Sequence, residues 1–390
     1  MINVLFITPD FYPNSTGFAN ACVNLVNSII TYGSHKYDVH VYTEKPLGDK
    51  PELKECKVIR YLNTGTGKIG HLINERKKVQ YILKYIEKNN IDIIFFETNT
   101  FPFIECEILQ KYRDKCIVRI HSTADTEVPI YGKKRTIGQK IASKRMFEFM
   151  KGVPYILSTS NYYLDFVKTK YLYDNVYSVW NGKTYGILYN TSLPTNYSKE
   201  SSAANHFLSM GKLSDNGLTQ KGMVDLLKAV YFLKKIKLLP SDFLLTIVGT
   251  GEKLPYITNL INKLDLINTC RIIESATHDE VFELMNNSKA IVLLSRYEGQ
   301  SMFITESISM GKPIIISDNN GMGDMLIDGV NGFLVRTGDI ESAAQAIKKV
   351  CELSKEEIEM MGEASFKLYE EKYSPRKVYE KFDILMTLKD

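Results

Sequence analysis

The stretch "KAIVLLSRYEGQSMFITESISMGKPIIIS" (289–317) decides the fold. An unbroken apolar run, 289–294, reads as a strand buried on both faces. A polar turn around Glu298 follows, then a helix start at Ser301 to Thr305, and after Gly311 the β-branched run "PIIIS" (313–317). A strand, a helix and a second strand in close succession form the crossover that joins parallel neighbours.

The alternation extends in both directions. Ahead of the linker lie "INVLFIT" (2–8), "YDVHVYT" (37–43), "IDIIFFE" (91–97), "CIVRIH" (116–121) and "PYILSTS" (154–160), separated by helical patterns such as 18–33 and 75–90. The segment 181–206, rich in Asn, Ser, Thr and Tyr, has no periodicity and suits a linker. Beyond it the pattern restarts with "FLSMG" (207–211), a helix over 223–237, "DFLLTIVG" (242–249), "CRIIES" (270–275) and "GFLVRTG" (332–338). The fold class is therefore α/β, with two doubly wound Rossmann-like domains at 1–185 and 186–373. A last helical pattern starts at Pro375. Paired domains of this kind are expected to hold their ligand in the cleft between them, beyond the carboxyl ends of the strands.

Composition excludes several classes. With 390 residues, 44% of them hydrophobic, the chain can bury large cores. The opening "MINVLFITPDFYP" reads as a first strand, not a signal peptide, and no apolar run reaches membrane-span length. Six scattered cysteines without a CxxC pair argue against a zinc site or a disulfide framework, so a reducing cytoplasm is expected. Residues 1–185 hold 26 Lys and Arg against 18 Asp and Glu, and the rest 23 against 27. The densest basic segment, 131–152, is read either as a solvated helix face or as a surface for anionic lipid or a phosphorylated acceptor. Nucleic acid is not expected, because no aromatic residues are interleaved in an RNA-binding pattern.

Two glycine-rich fragments fail as P-loop or dinucleotide fingerprints, although a close backbone approach to a nucleotide stays open at the second. "GTGKIG" (65–70) lacks the outer glycine and the hydroxyl of a P-loop, and "GTGEKL" (249–254) has Leu254 where a dinucleotide fingerprint has its third glycine. The chemistry lies in the opening stretch. The first N–H groups of a helix have no intrahelical partners, so the turn at Ser301 to Thr305 suits a phosphate. Glu306, one turn further in, offers two acceptor oxygens that match the vicinal hydroxyls of a ribose. Glu298, on the loop, would then face whatever hangs from the far phosphate, and that geometry describes a sugar nucleotide.

At these residues the chain resembles the family 4 retaining glycosyltransferases of the GT-B fold, the glycosyl transferases group 1, whose donor site carries two glutamates separated by seven residues. The resemblance covers nearly the whole chain. "FYPNSTGFANACVNLVNSIITYGSHKYDVHVYT" (11–43), "SVWNG" (178–182), "SMGKLSDNGLTQKGMVDLLKA" (209–229), "LTIVGTGE" (245–252) and "GKPIIISDNNGMGDMLIDGVNGFLV" (311–335) are similar to successive family segments. It implies that Lys212 and Lys221 neutralise the donor diphosphate, that Glu298 holds the transferred sugar and Glu306 the ribose, and that the amides around Met302 and Phe303, next to Ser301, bind the phosphates. Gly17 would let the front loop approach the donor, Gly251 belongs to the donor-binding set, and His121 would contact donor sugar or acceptor. Lys221 is taken to stand at a helix start. The front loop has a single glycine, Lys212 stands where the family has Arg, and Ser301 replaces a second glycine. A C-terminal helix (374–390) returning to the first domain is also implied.

The expected activity is metal-independent transfer of a hexosyl group from a UDP- or GDP-sugar, with retention, to a carbohydrate, lipid-linked or protein hydroxyl, as in polysaccharide, glycolipid or glycoprotein synthesis. No cofactor is expected, the nucleoside diphosphate sugar being a co-substrate, and no metal, since no Asp-x-Asp occurs. A hydrolase would need two carboxylates flanking the bond. A sugar-nucleotide epimerase and a non-catalytic nucleotide-binding protein are the alternative readings.

Overall fold

The computed structural model describes residues 1–11, 16–44, 56–61, 67–97, 102–121, 144–145, 148–173, 183–193, 204–318 and 320–387. The chain divides into two compact units, Met1–Thr191 with Pro375–Asp390, and Ser192–Ser374.

The first unit is built on a parallel sheet of β1 (Ile2–Ile7), β2 (Tyr37–Glu44), β3 (Lys57–Tyr61), β4 (Ile93–Glu97), β5 (Cys116–Ile120), β6 (Tyr155–Ser158) and β7 (Thr184–Ile187), in the order β3-β2-β1-β4-β5-β6-β7. Helices α1 (Gly17–Gly33), α2 (Gly67–Lys88), α3 (Pro102–Tyr112) and α4 (Asn161–Tyr173) connect its strands. Every residue of β4 and β5 is buried, which is why both read as continuous runs instead of alternating ones. Apolar clusters form on the two faces, one around Leu5, Ile94, Val118 and Ile156, the other around Val4, Phe6, Leu25, Phe95 and Ile117.

The second unit has β8 (His206–Met210), β9 (Leu244–Val248), β10 (Cys270–Ile273), β11 (Ala290–Leu293), β12 (Ile314–Ser317) and β13 (Gly332–Val335), all parallel, in the order β10-β9-β8-β11-β12-β13. Its helices are α5 (Asp215–Lys221), α6 (Met223–Lys235), α7 (Leu254–Lys263), α8 (His278–Asn286), α9 (Met302–Ser309), α10 (Ile340–Glu352) and α11 (Lys355–Lys372). Each sheet reverses its winding once, between β1 and β4 in the first unit and between β8 and β11 in the second. Such switch points leave a crevice at the carboxyl ends of the strands.

The structure moves one boundary. β7 lies inside the stretch read as linker, and the units divide after Thr191 instead of after Tyr185. β7 is a half-buried edge strand, "TYGI", too short and too polar to show periodicity. The last helix, α12 (Pro375–Thr387), starts with Pro at a position where its missing N–H costs nothing, and it belongs to the first unit. Its Val378, Phe382, Leu385 and Met386 join the cluster around Phe6 and Leu25. A side chain at Gly186 of β7 would come within 2.9 Å of Leu385 Cδ2.

Candidate active site

In the second unit the residues converge on the switch point. The loop after β8 carries Gly211 and Lys212, and the loop after β11 carries Glu298. Lys221 forms a short ion pair with Glu298, both about one-fifth exposed or less. It closes α5 and directly precedes the Gly222 N-cap of α6, so its charge favours the dipole of the helix it ends and opposes that of the helix that follows. The helix start expected there is α6, and the short α5 before it was not legible because Gly222, at φ +61°, ends α5 and starts α6 at once. The junction is tied to the end of β11: the Arg296 amide donates to the Gln220 carbonyl at 2.7 Å, and a Cβ on Gly222 would lie 2.1 Å from the Leu294 oxygen. Gly211 has a related role, since a Cβ there would meet Lys221 Cγ at 2.8 Å, so the lysine stem lies over bare backbone. Lys212 is exposed, and among the described residues its ammonium has no carboxylate partner.

Gly251 serves the same loop from the other side. The Leu213 amide donates to the Thr250 carbonyl at 2.9 Å, the Lys253 amide to the Leu213 carbonyl at 2.8 Å, and a Cβ on Gly251 would sit 2.3 Å from that carbonyl. Its glycine is thus required by close backbone packing under the Lys212 loop.

Helix α9 starts behind Glu298. Ser301 is its N-cap, yet the Ser301 side chain makes no capping bond, and no acid occupies the first turn. The amides of Met302 and Phe303 are therefore open to an anion. Both side chains, like the rest of α9, are buried and anchor the helix. Glu306 is 5% exposed and meets His278 Nε2 at 3.0 Å. That hydrogen bond is the main cause that raises the His278 pKa. His278, the first residue of α8 behind a Thr277–Glu280 capping box, was missed in the sequence, where nothing links positions 28 residues apart. Asn320 was missed as well. Its amide donates to the carbonyls of Ser295, Ser317 and Asp318, and the Gly321 amide donates to the Glu298 carbonyl, fixing the loop between β11 and α9.

The first unit carries the other two residues. Gly17 opens α1 behind Thr16, which accepts from the Ala19 amide at 3.1 Å. Nothing lies within 4 Å of a Cβ placed on Gly17, so packing within the chain does not demand a glycine there. His121 follows β5 directly and is bonded to Glu97 at 2.8 Å, with the Phe18 ring edge-on at 4.8 Å. Glu97 is in turn held by Arg119 through two bonds of 2.8 and 2.9 Å, and both are buried. Burial alone would raise the Glu97 carboxyl, but the Arg119 charge and the His121 hydrogen bond outweigh it and keep it below its usual range. Cys22, Glu97 and His121 bring three potential ligand atoms within 4.8 Å of one another. Both Glu97 oxygens are nevertheless engaged by a guanidinium, and burial pushes the Cys22 thiol well up, so this donor set is adapted to a fixed internal cation. Of the basic segment, Lys133, Lys134, Arg135 and Lys140 lie outside the described residues. Among the described residues no helix is long and apolar enough to cross a membrane.

The class follows from comparison with known proteins. Sucrose-phosphate synthase from Thermosynechococcus elongatus superposes with a TM-score of 0.77 at 14% identity, covering 100% of this chain and 99% of that one. HepE of Anabaena, solved with UDP and glucose, gives 0.73 at 15% identity, with 100% of both chains covered. The fold is GT-B. Residues 199–368 match the family described as "Glycosyl transferases group 1". A glycogen synthase of Mycobacterium tuberculosis is 26% identical over 131 residues, 34% of this chain. The match spans 31% of that relative's own length.

Proposed function

We propose that the protein is a retaining glycosyltransferase that moves a hexosyl group from a nucleoside diphosphate sugar, UDP- or GDP-linked, to a hydroxyl acceptor. The observation that carries this reading is the Lys221–Glu298 pair beside the uncapped start of α9, with Glu306 one turn into the same helix. The α9 amides and the ammonium groups of Lys212 and Lys221 would take the diphosphate, and the Glu306 carboxylate the ribose diol in exchange for His278. As the bond to the sugar breaks, negative charge grows on the diphosphate, and fixed positive groups stabilise it without reorganisation. The leaving phosphate then accepts the acceptor's proton. Lysines and helix amides supply this stabilisation without a metal. His121 would contact the donor sugar or the acceptor, and Gly17 would leave the front loop open to the donor.

That HepE was solved with UDP and glucose supports a nucleotide sugar as donor. A carbohydrate, lipid-linked or protein acceptor in polysaccharide, glycolipid or glycoprotein synthesis fits the reading. So does peripheral attachment to the cytoplasmic membrane face through the basic segment 131–152. A thermal-shift panel of UDP-, GDP- and ADP-sugars tests donor binding, because a ligand of the native state raises stability by mass action. NMR of the product tests anomeric retention. If no nucleotide sugar raises stability or is consumed, the transferase reading is wrong, and release of an epimerised donor would identify an epimerase. Co-sedimentation of the wild type with anionic liposomes, compared with a Lys133/Lys134/Arg135 triple alanine variant, tests the attachment, and equal recovery in the supernatant rules it out.

A further inference from the structure

We propose that Glu97, clamped by Arg119, is a positioning residue that fixes His121 as its Nε2–H tautomer and so presents Nδ1 as a hydrogen-bond acceptor for a hydroxyl of the substrate. The proposal rests on the transferase reading for the identity of the hydroxyl, but not for the tautomer.

The two Arg119 donors, Nε to Oε2 at 2.9 Å and Nη2 to Oε1 at 2.8 Å, occupy both oxygens of the Glu97 carboxylate. The guanidinium is itself held from the β7 side, where Nη1 donates to the carbonyls of Leu188 and Tyr189, each at 3.4 Å. A carboxylate so paired stays ionised and can only accept. The ring nitrogen 2.8 Å away, His121 Nε2, must therefore carry the proton of that bond. Burial, opposed by the Glu97 bond and aided by the Arg119 charge, holds the imidazole below its ordinary pKa, so the ring is neutral. In a neutral ring with Nε2–H, Nδ1 has only a lone pair. Phe18 fixes the ring plane from one side, 12% of the His121 side chain stays accessible, and no group bonds Nδ1 among the described residues. An acceptor nitrogen recognises a hydroxyl and offers nothing to a phosphate oxygen. His121 is thereby matched to a hydroxyl of the substrate and not to a phosphate.

The test is long-range 1H–15N NMR on the full chain with 15N-labelled histidine, the signal of His121 being assigned by its loss in His121→Gln. Expected are a protonated Nε2 whose hydrogen exchanges slowly and an unprotonated Nδ1 at neutral pH. In Glu97→Gln, whose carboxamide can also donate, the signal should shift toward the Nδ1–H form, and kcat/KM for the nucleotide sugar consumed should fall at least tenfold. An Nδ1–H or doubly protonated ring in the wild type would overturn the proposal. So would a Glu97→Gln enzyme with the wild-type tautomer and rate. Should Glu97→Gln fail to fold, the wild-type spectrum and its slowly exchanging Nε2 proton decide by themselves. If the tautomer is as stated but no nucleotide sugar is consumed, the positioning by Glu97 holds and the transferase reading falls.

Discussion

Replacing Gly222 with alanine should damage both the stability of the second unit and its chemistry, and Gly329 supplies the control. Both glycines have left-handed backbone, at φ +61° and +74°. Placing an L-residue there costs about 1–2 kcal/mol. Around Gly329 a Cβ meets nothing within 4 Å, so Gly329→Ala should cost that amount and no more. At Gly222 the new carbon would lie 2.1 Å from the Leu294 carbonyl oxygen, an overlap that only backbone movement relieves. Overpacking of this kind adds about 1–3 kcal/mol, for a total of about 2–5 kcal/mol. At about 2–4 °C per kcal/mol for a unit of this size, Gly222→Ala should melt ~2–12 °C below Gly329→Ala by calorimetry. Because Lys221 is its immediate neighbour and must reach Glu298, Gly222→Ala should also lose kcat while Gly329→Ala keeps it. Equal melting temperatures would show that the close approach at Leu294 relaxes freely, and the reasoning about this junction would be wrong.

Four further outcomes are expected. Lys221→Ala should lower kcat about 100- to 1,000-fold, the loss typical of removing one donor that stabilises developing negative charge, and normal turnover at saturating donor would assign that role elsewhere. Glu306→Gln should raise donor KM more than it lowers kcat, because a ribose contact is made equally in ground and transition states; steady-state kinetics decide. Glu306 raises the His278 pKa above the ordinary 6.5, so the stability from this pair is full below 6.5 and fades as pH climbs through the raised value. The difference in melting temperature between wild type and His278→Asn should therefore shrink with rising pH, and a constant difference would contradict the pairing. Deleting residues 376–390 removes Val378, Phe382, Leu385 and Met386, whose apolar burial is worth about 6–12 kcal/mol before entropy, so hydrogen exchange should rise in the first unit alone.

The alternation of apolar runs and helical patterns was enough to read the second sheet and the five inner strands of the first, because strands covered on two faces must be continuously apolar. β3 and β7, the two edge strands of the first sheet, escaped because "KVIRY" and "TYGI" are short and broken by charged residues or a glycine. Glu298, Glu306 and the start of α9 were legible since they lie within a few residues of one another. The Glu306–His278 and Glu97–Arg119–His121 contacts were not, as they depend on which strands and loops the topology makes neighbours. One local signal was available: Arg119 interrupts the apolar run "CIVRI", and a buried strand tolerates such a charge only with a partner. The role of Gly251 in backbone packing, and of Gly222 and Gly211 around Lys221, likewise needs the distances.

That α12 belongs to the first unit has a consequence for how the chain is made. A ribosome that has just released Thr191 has supplied every strand of the first sheet, but not the helix that covers Phe6, Leu25 and Phe95. The second unit is synthesised in between, and at about 5–20 residues per second that takes roughly 10–40 s. Throughout that interval the face of the first sheet that α1 packs on lacks the rest of its cover, so the earlier unit to emerge is the later one to be completed. Chains stalled or cleaved before Pro375 would carry that face partly uncovered, which makes them natural clients of chaperones and proteases.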